Sequence, residues 1–275
     1  MTEEEIQAIE IRLLLDGVFR AHGYDFRDYS EASLARRLRR WLSSSGCTSF
    51  SEAQGRLLRD PEFFQGMLGG ITVNVTEMFR DPGFFQCLRE QVVPHLKTYP
   101  FVKIWVAGCA TGEEVYSMAI LLEEEGLGER CRIYATDIDL KVLAIAEKGI
   151  YPLGALQHFT RNYQKGGGKA AFSDYYSARY DHAMLMPALR NRIVFASHNL
   201  AVDGDFGEMH MVLCRNVLIY FKAPLKERVL GLFNACVLPG GFLCLGIKES
   251  INGHAISPHF QEVVPRMRVY RKRYV

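Results

Sequence analysis

The spacing of apolar residues changes its period near residue 100. Before that point it is helical: Ile6, Ile9 and Leu13 fall at i, i+3 and i+7, and Leu34, Leu38, Trp41 and Leu42 share one face of a second segment. Ser30 stands where "EASLARRLRRWL" needs its N-cap, Ser49 or Ser51 where a short third helix does, and Asp60 followed by Pro61 opens a fourth. No stretch here alternates as a strand does, so residues 1–68 are expected to form a small helical domain. The paired glycines of "GMLGGITVNVT" (66–76) read as a linker.

From Phe101 onward, apolar runs of strand length alternate with helical periods. "VKIWVAG", "CRIYATD", "NRIVFASHNL", "MHMVLCRNVLIYF" and "FLCLGIKE" read as strands. "EEVYSMAILLEEE" and "DLKVLAIAEKG" read as helices, the second with Asp139 as cap and Gly149 just past its end. "PLKERVLGLFNACVL" is a third, with Pro224 at its first position and a stop at Pro239-Gly240-Gly241, and the tail can pair two more strands. This alternation predicts an α/β fold with a doubly wound, mostly parallel sheet over 101–275. Residues 151–190 break it. They hold three successive glycines and many aromatics, lack a clean helical period, and are expected to form a small antiparallel β insertion.

Composition narrows the class. The 275 residues are 48% hydrophobic and 23% charged, with a net charge of +2, too small for general nucleic-acid binding. The seven cysteines are scattered without a C-x-x-C, which fits small core residues in a reducing compartment. The eight histidines show no ligand pairing, so no metal is expected. The acidic amphipathic start is no signal peptide, and no apolar run approaches about 18 residues. A cytoplasmic monomer is expected.

The chemistry sits in "WVAGCATGEEVYS". A dinucleotide loop would place a third glycine where Glu113 stands, and a carboxylate at that helix start repels a pyrophosphate. A P-loop is excluded, since no Gly-Lys-Ser/Thr follows. The loop suits a ligand without phosphate and with an ammonium group, and S-adenosylmethionine meets that description. Glu113 or Glu114 would face its ammonium. Asp137, at the end of the next strand, would accept from the ribose hydroxyls. Asn199, Arg215 and Asn216 stand at later strand ends and point to the same cleft, and Tyr220 can reach it. The rival readings are an NAD(P)-dependent oxidoreductase, a methyltransferase for another protein, RNA or a small molecule, and a non-catalytic cofactor sensor.

"ITVNVTEMFRDPGFF", "WVAGCATGEEVYSMA", "ATDIDLKVLAIAEKGIY" and "CRNVLIYF" together resemble the chemotaxis receptor glutamate O-methyltransferases, the CheR family. The resemblance covers nearly the whole chain. It implies a class I, Rossmann-like methyltransferase that moves a methyl group from S-adenosylmethionine to glutamate carboxylates of a chemoreceptor helix bundle or a similar signalling protein, leaving S-adenosylhomocysteine. It places the cofactor contacts on Asn74, Thr76, Arg80, Glu114, Asp137, Asn199, Leu200, Arg215 and Asn216, the second glutamate of the pair being the better match. Residues 69–100 then become a linker and cofactor-covering segment, with 74–80 closing over the ligand. A glutamate is already ionised at pH 7, so no general base is needed. Arg80 is expected to position it and Tyr220 to donate a hydrogen bond. Arg36, Arg39 and Arg40, flanked by Arg37, are expected to dock the acidic receptor helices. Some members grip a receptor's C-terminal peptide with the insertion. "CATG" and "DGDFGEMHMVLCRN" depart from the usual family wording.

Overall fold

The computed structural model describes residues 1–274. Two compact units share the chain. One holds residues 1–73, 199–204 and 219–229; the other holds 74–198, 205–218 and the chain from Leu230 on.

The first unit is built on α1 (Glu3–His22), α2 (Glu31–Ser45), α3 (Phe50–Leu57) and α4 (Pro61–Ile71). A capping box starts α1: the Glu5 N–H donates to the Thr2 hydroxyl and the Thr2 N–H donates to the Glu5 carboxylate. Two apolar stripes compete on this helix. Leu14, Leu15 and Val18 are buried, and α3 lies alongside, with Gln54 donating to the Leu13 carbonyl. Ile6, Ile9 and Leu13, the stripe read from the sequence, remain 38%, 48% and 54% exposed. Ser49 and Asp60 cap α3 and α4 with their side chains. Ser30 does not cap α2; its backbone N–H donates to the Tyr220 carbonyl instead.

The linker expected at 66–76 is in its first half helix. α4 runs through Gly69 and Gly70 to Ile71, and a Cβ on Gly70 would lie 3.0 Å from the Trp41 Cβ. Gly70 therefore serves close approach of α4 to α2 rather than flexibility.

The second unit opens with α5 (Pro82–Cys87), a wide π turn over Leu88–Val92, and α6 (Val93–Leu96). Pro94 has no N–H for the helical ladder, which accounts for the widened turn. Next come β1 (Val102–Ala107), α7 (Glu113–Glu124), β2 (Cys131–Asp137), α8 (Leu140–Lys148) and β3 (Ile150–Pro152). They are followed by α9 (Leu153–Lys165), β4 (Tyr176–Arg179), β5 (His182–Leu185), α10 (Pro187–Arg190), β6 (Ile193–Ser197) and β7 (Met209–Cys214). α11 (Ala223–Cys236) starts in the first unit and ends in the second, followed by β8 (Val237–Leu245), β9 (Phe260–Val264) and β10 (Val269–Lys272).

The main sheet has the order β6-β2-β1-β7-β8-β10-β9. β6, β2, β1, β7 and β8 are mutually parallel, and β10 is antiparallel to both neighbours. The chain leaves β1 in one direction and returns to β7 on its other side, which makes the β1/β7 boundary a topological switch point. α11 stops at Cys236, before the expected stop. Pro239-Gly240-Gly241 lies inside β8, where pairing jumps from Met209–Val237 to Met211–Phe242 and the intervening residues bulge.

The insertion contains the expected antiparallel sheet, in the order β3-β5-β4, and also a helix that its polar, glycine-rich wording concealed. In α9, Leu156, Phe159 and Tyr163 are buried at i, i+3 and i+7, a helical stripe of only three apolar positions.

Candidate cofactor site

The loop between β1 and α7 folds tightly over the switch point. The Gly108 and Cys109 N–H groups both donate to the Thr136 carbonyl at the end of β2, at 2.8 and 2.9 Å. Gly108 and Gly112 have φ of 73° and 93°. A Cβ on Gly112 would sit 2.8 Å from the Ala146 Cβ, so the loop requires glycine for both conformation and space. Ala110, at φ 48°, pays a steric cost to present its N–H to Asp137.

Asp137 is buried. Its Oδ2 accepts from Ala110 N at 2.9 Å and its Oδ1 from Asp139 N at 3.0 Å. Burial raises its pKa, and the backbone N–H groups of Asp139, Ala110 and Ile138 only partly offset that. Each carboxylate oxygen keeps a lone pair, so the acid that fastens the loop can still accept from a ligand. Asp139 is the helix cap, as the sequence implies, its side chain accepting from Lys141 N.

The two glutamates separate. Glu113 is buried, accepts from the Thr111 hydroxyl at 2.7 Å, and has its pKa raised by burial. Glu114 pairs with Arg215, its Oε2 accepting from Nη1 at 2.5 Å. Arg215 Nη2 donates to Asp81 Oδ2 at 2.7 Å, and the guanidinium lies 4.1 Å above the Phe84 ring. Nε of this buried side chain has no acceptor among the described residues. Asn216, at φ 62°, donates its N–H to Glu249 Oε2 at 2.9 Å. Burial, followed by the Asp137 charge, pushes the Cys109 thiol well above the usual range, which disfavours the reactive thiolate.

Arg80 is half-buried and donates to the Val75 carbonyl at 3.2 Å, closing the 74–80 segment on itself. Asn74 and Thr76 are half-buried in the same segment. Four residues other than glycine adopt positive φ in these loops: Phe79, Asp81, Ala110 and Asn216. Strain of this kind collects at binding sites.

Asn199, Leu200 and Tyr220 belong to the first unit. Asn199 spends its side-chain oxygen on Ala201 N at 3.0 Å, Leu200 is buried, and Tyr220 is half-buried with its ring 5.0 Å from the Arg37 guanidinium. Arg37 is a correction to the docking face. It is 9% exposed, donates Nε to the Ser33 carbonyl, and lies on the inner side of α2. At i+3 and i−1 from Leu34 and Leu38 it falls within the buried stripe, where an aromatic face compensates part of its desolvation. Arg36, Arg39 and Arg40 are exposed, Arg39 donating to Gln7.

Sequence reasoning missed Asp81 and Glu249. Asp81 precedes a proline, as Asp60 does, and reads as a helix cap. Nothing in the wording around Glu249 marks it.

A parallel sheet of this order, a glycine loop flanked by acids, and an acid at the next strand end define an S-adenosylmethionine-dependent methyltransferase. The orphaned Arg215 Nε fits that cofactor, whose α-carboxylate can supply the missing acceptor, and Glu114 and Asp137 suit its cationic and hydroxyl groups. The chain belongs to the CheR methyltransferase family: residues 74–265 match its S-adenosylmethionine-binding domain and residues 9–72 its all-alpha domain. It is 47% identical over 272 residues to the Pseudomonas putida protein named "Putative methyltransferase Cher3", covering 99% of this chain and 100% of that one. It is 32% identical over 260 residues to chemotaxis protein methyltransferase 2 of Pseudomonas aeruginosa (90% and 87% covered). It is 30% identical over 249 residues to chemotaxis protein methyltransferase Cher2 of Pseudomonas putida (84% and 85%). Among the described residues no cluster can hold a metal ion, and no helix is long and apolar enough to cross a membrane.

Proposed function

We propose that the protein methylates glutamate side chains of a chemoreceptor or receptor-like signalling protein, forming glutamate methyl esters. The observation that carries this reading is the contrast between two arginines. Arg215 is committed to Glu114 and Asp81, whereas Arg80, among the described residues, makes no ion pair and keeps donors available for a substrate carboxylate. S-adenosylmethionine, when bound, supplies the electrophilic methyl group. Asn74, Thr76, Arg80, Glu114, Asp137, Arg215 and Asn216 hold it. Arg80 orients the nucleophile, which is ionised without a base because glutamate has a pKa of about 4.3. A carboxylate clamped by two arginines would lose nucleophilicity, so one positioning cation serves better than two.

The test is transfer of labelled methyl from the cofactor to membranes carrying the host's receptors. A methyl ester releases its label as methanol at high pH. Base-stable label would place the methyl on nitrogen and overturn the assignment.

A further inference from the structure

The segment that carries Asn74, Thr76 and Arg80 is locked into the insertion by three consecutive residues. Met78 is 1% exposed and lines a void of about 10 Å³ together with Tyr151, Leu156, Phe159, Phe172 and Leu185. Its carbonyl accepts from Asn162 Nδ2 at 3.1 Å. Glu77 pairs with His158, also on α9. Phe79 packs edge-on to Tyr163 at 5.2 Å, and its N–H donates to the Ser117 hydroxyl at 2.8 Å. Phe79 has φ 52°, a conformation that a bulky side chain holds only when its surroundings impose it.

We infer that Asn162 and His158 are positioning residues for the cofactor: α9 and the small sheet set the conformation of the 74–80 segment, so cofactor binding and the packing of the insertion are thermodynamically linked. This rests on the assignment of Thr76 and Arg80 to the cofactor. The physical reason is adjacency. Thr76 and Arg80 directly flank the three keyed residues, so they cannot move independently of α9. Linkage is reciprocal: whatever the insertion contributes to cofactor affinity, the cofactor returns as order in the insertion.

The experiment measures S-adenosylhomocysteine affinity by calorimetry, well below the unfolding temperature of every variant. Asn162→Ala is expected to weaken binding about fivefold or more. His158→Ala is expected to weaken it less, because that pair is half-exposed, and His158→Gln, which keeps a donor for Glu77, to restore it. In a Thr76→Ala/Arg80→Ala background, Asn162→Ala should cost less than it does alone, Asn74 being the segment's remaining contact, whereas a merely structural role would subtract equally in both backgrounds. In the unmodified protein, S-adenosylhomocysteine should slow amide exchange in α9 and β5. Unchanged affinity in Thr76→Ala/Arg80→Ala would overturn the cofactor assignment and this inference with it. Weakened affinity there, combined with additive losses, an unaffected Asn162→Ala, or no slowing of exchange in the insertion, would overturn the linkage alone. The exchange measurement decides the matter even if Asn162→Ala does not fold.

Discussion

Asp137 fastens the glycine loop and, in the proposed site, would also accept from the ribose hydroxyls. Burial holds its pKa above the ordinary 3.8. As pH rises from that value towards the raised one, the unfolded chain loses its proton first, so the apo-protein loses stability across that window. Below both values the contribution is whole. A ligand that donates hydroxyls to the carboxylate favours its ionised form, so S-adenosylhomocysteine affinity should rise with pH through the same window and level off above it. Calorimetry between about pH 4 and 7 should show this slope in the unmodified protein and none in Asp137→Asn. Asp137→Ala should cost about 1–3 kcal/mol of binding, as expected for lost charge-assisted hydrogen bonds. An unchanged dissociation constant would remove Asp137 from the ribose site.

At the scale of elements, the same words led to different structures. "RDPEFF" and "RDPGFF" share an aspartate followed by proline, the pattern that at Asp60 is expected to open a helix. Asp60 caps, accepting from Glu62 and Phe63 N–H groups at 3.0 Å. Asp81 sits at φ 56° with no capping bond and gives its carboxylate to Arg215, 134 residues away. Local grammar cannot register a partner that distant. The glycines of α4 show the same limit. Gly66 has nothing within 4 Å of an added Cβ, whereas Gly70 faces Trp41. Gly66→Ala should therefore stabilise the protein by about 0.5–1 kcal/mol through helix propensity. Gly70→Ala should destabilise it by about 1–3 kcal/mol of overpacking, less the same propensity gain. Thermal unfolding of the two variants should move in opposite directions; a shared direction would mean that α4 relaxes away from Trp41.

For the whole molecule the open question is how the substrate is met. Arg36 and Arg40 are exposed on α2 while Leu34, Leu38 and Trp41 are buried, so the charges can be reversed without cutting the core. Arg36→Glu with Arg40→Glu should leave cofactor affinity intact and alter stability by about 0.5 kcal/mol or less. It should sharply lower methylation of a receptor, because like charges would then face the acidic helices. The unmodified reaction should slow with added salt, the Debye length falling to about 8 Å at 0.15 M. Equal initial rates of the two proteins at low salt would show that this face is only solvated surface.

The sequence by itself determined the alternation that makes the parallel sheet, the helical character of the first seventy residues, and the glycine loop with its following acids. Each of these is a short-range pattern, written by periodicity, caps and turn chemistry within a dozen residues. Tertiary structure decided which of two stripes on α1 is buried and that Arg37 leaves the exposed arginine face of α2 for the ring of Tyr220. It also decided that Asp81 and Glu249 serve Arg215 and Asn216, and that Glu113 and Glu114 take different partners. These outcomes depend on which surfaces and charges meet across the fold, and burial and charge pairing are properties of that meeting rather than of any one stretch of chain.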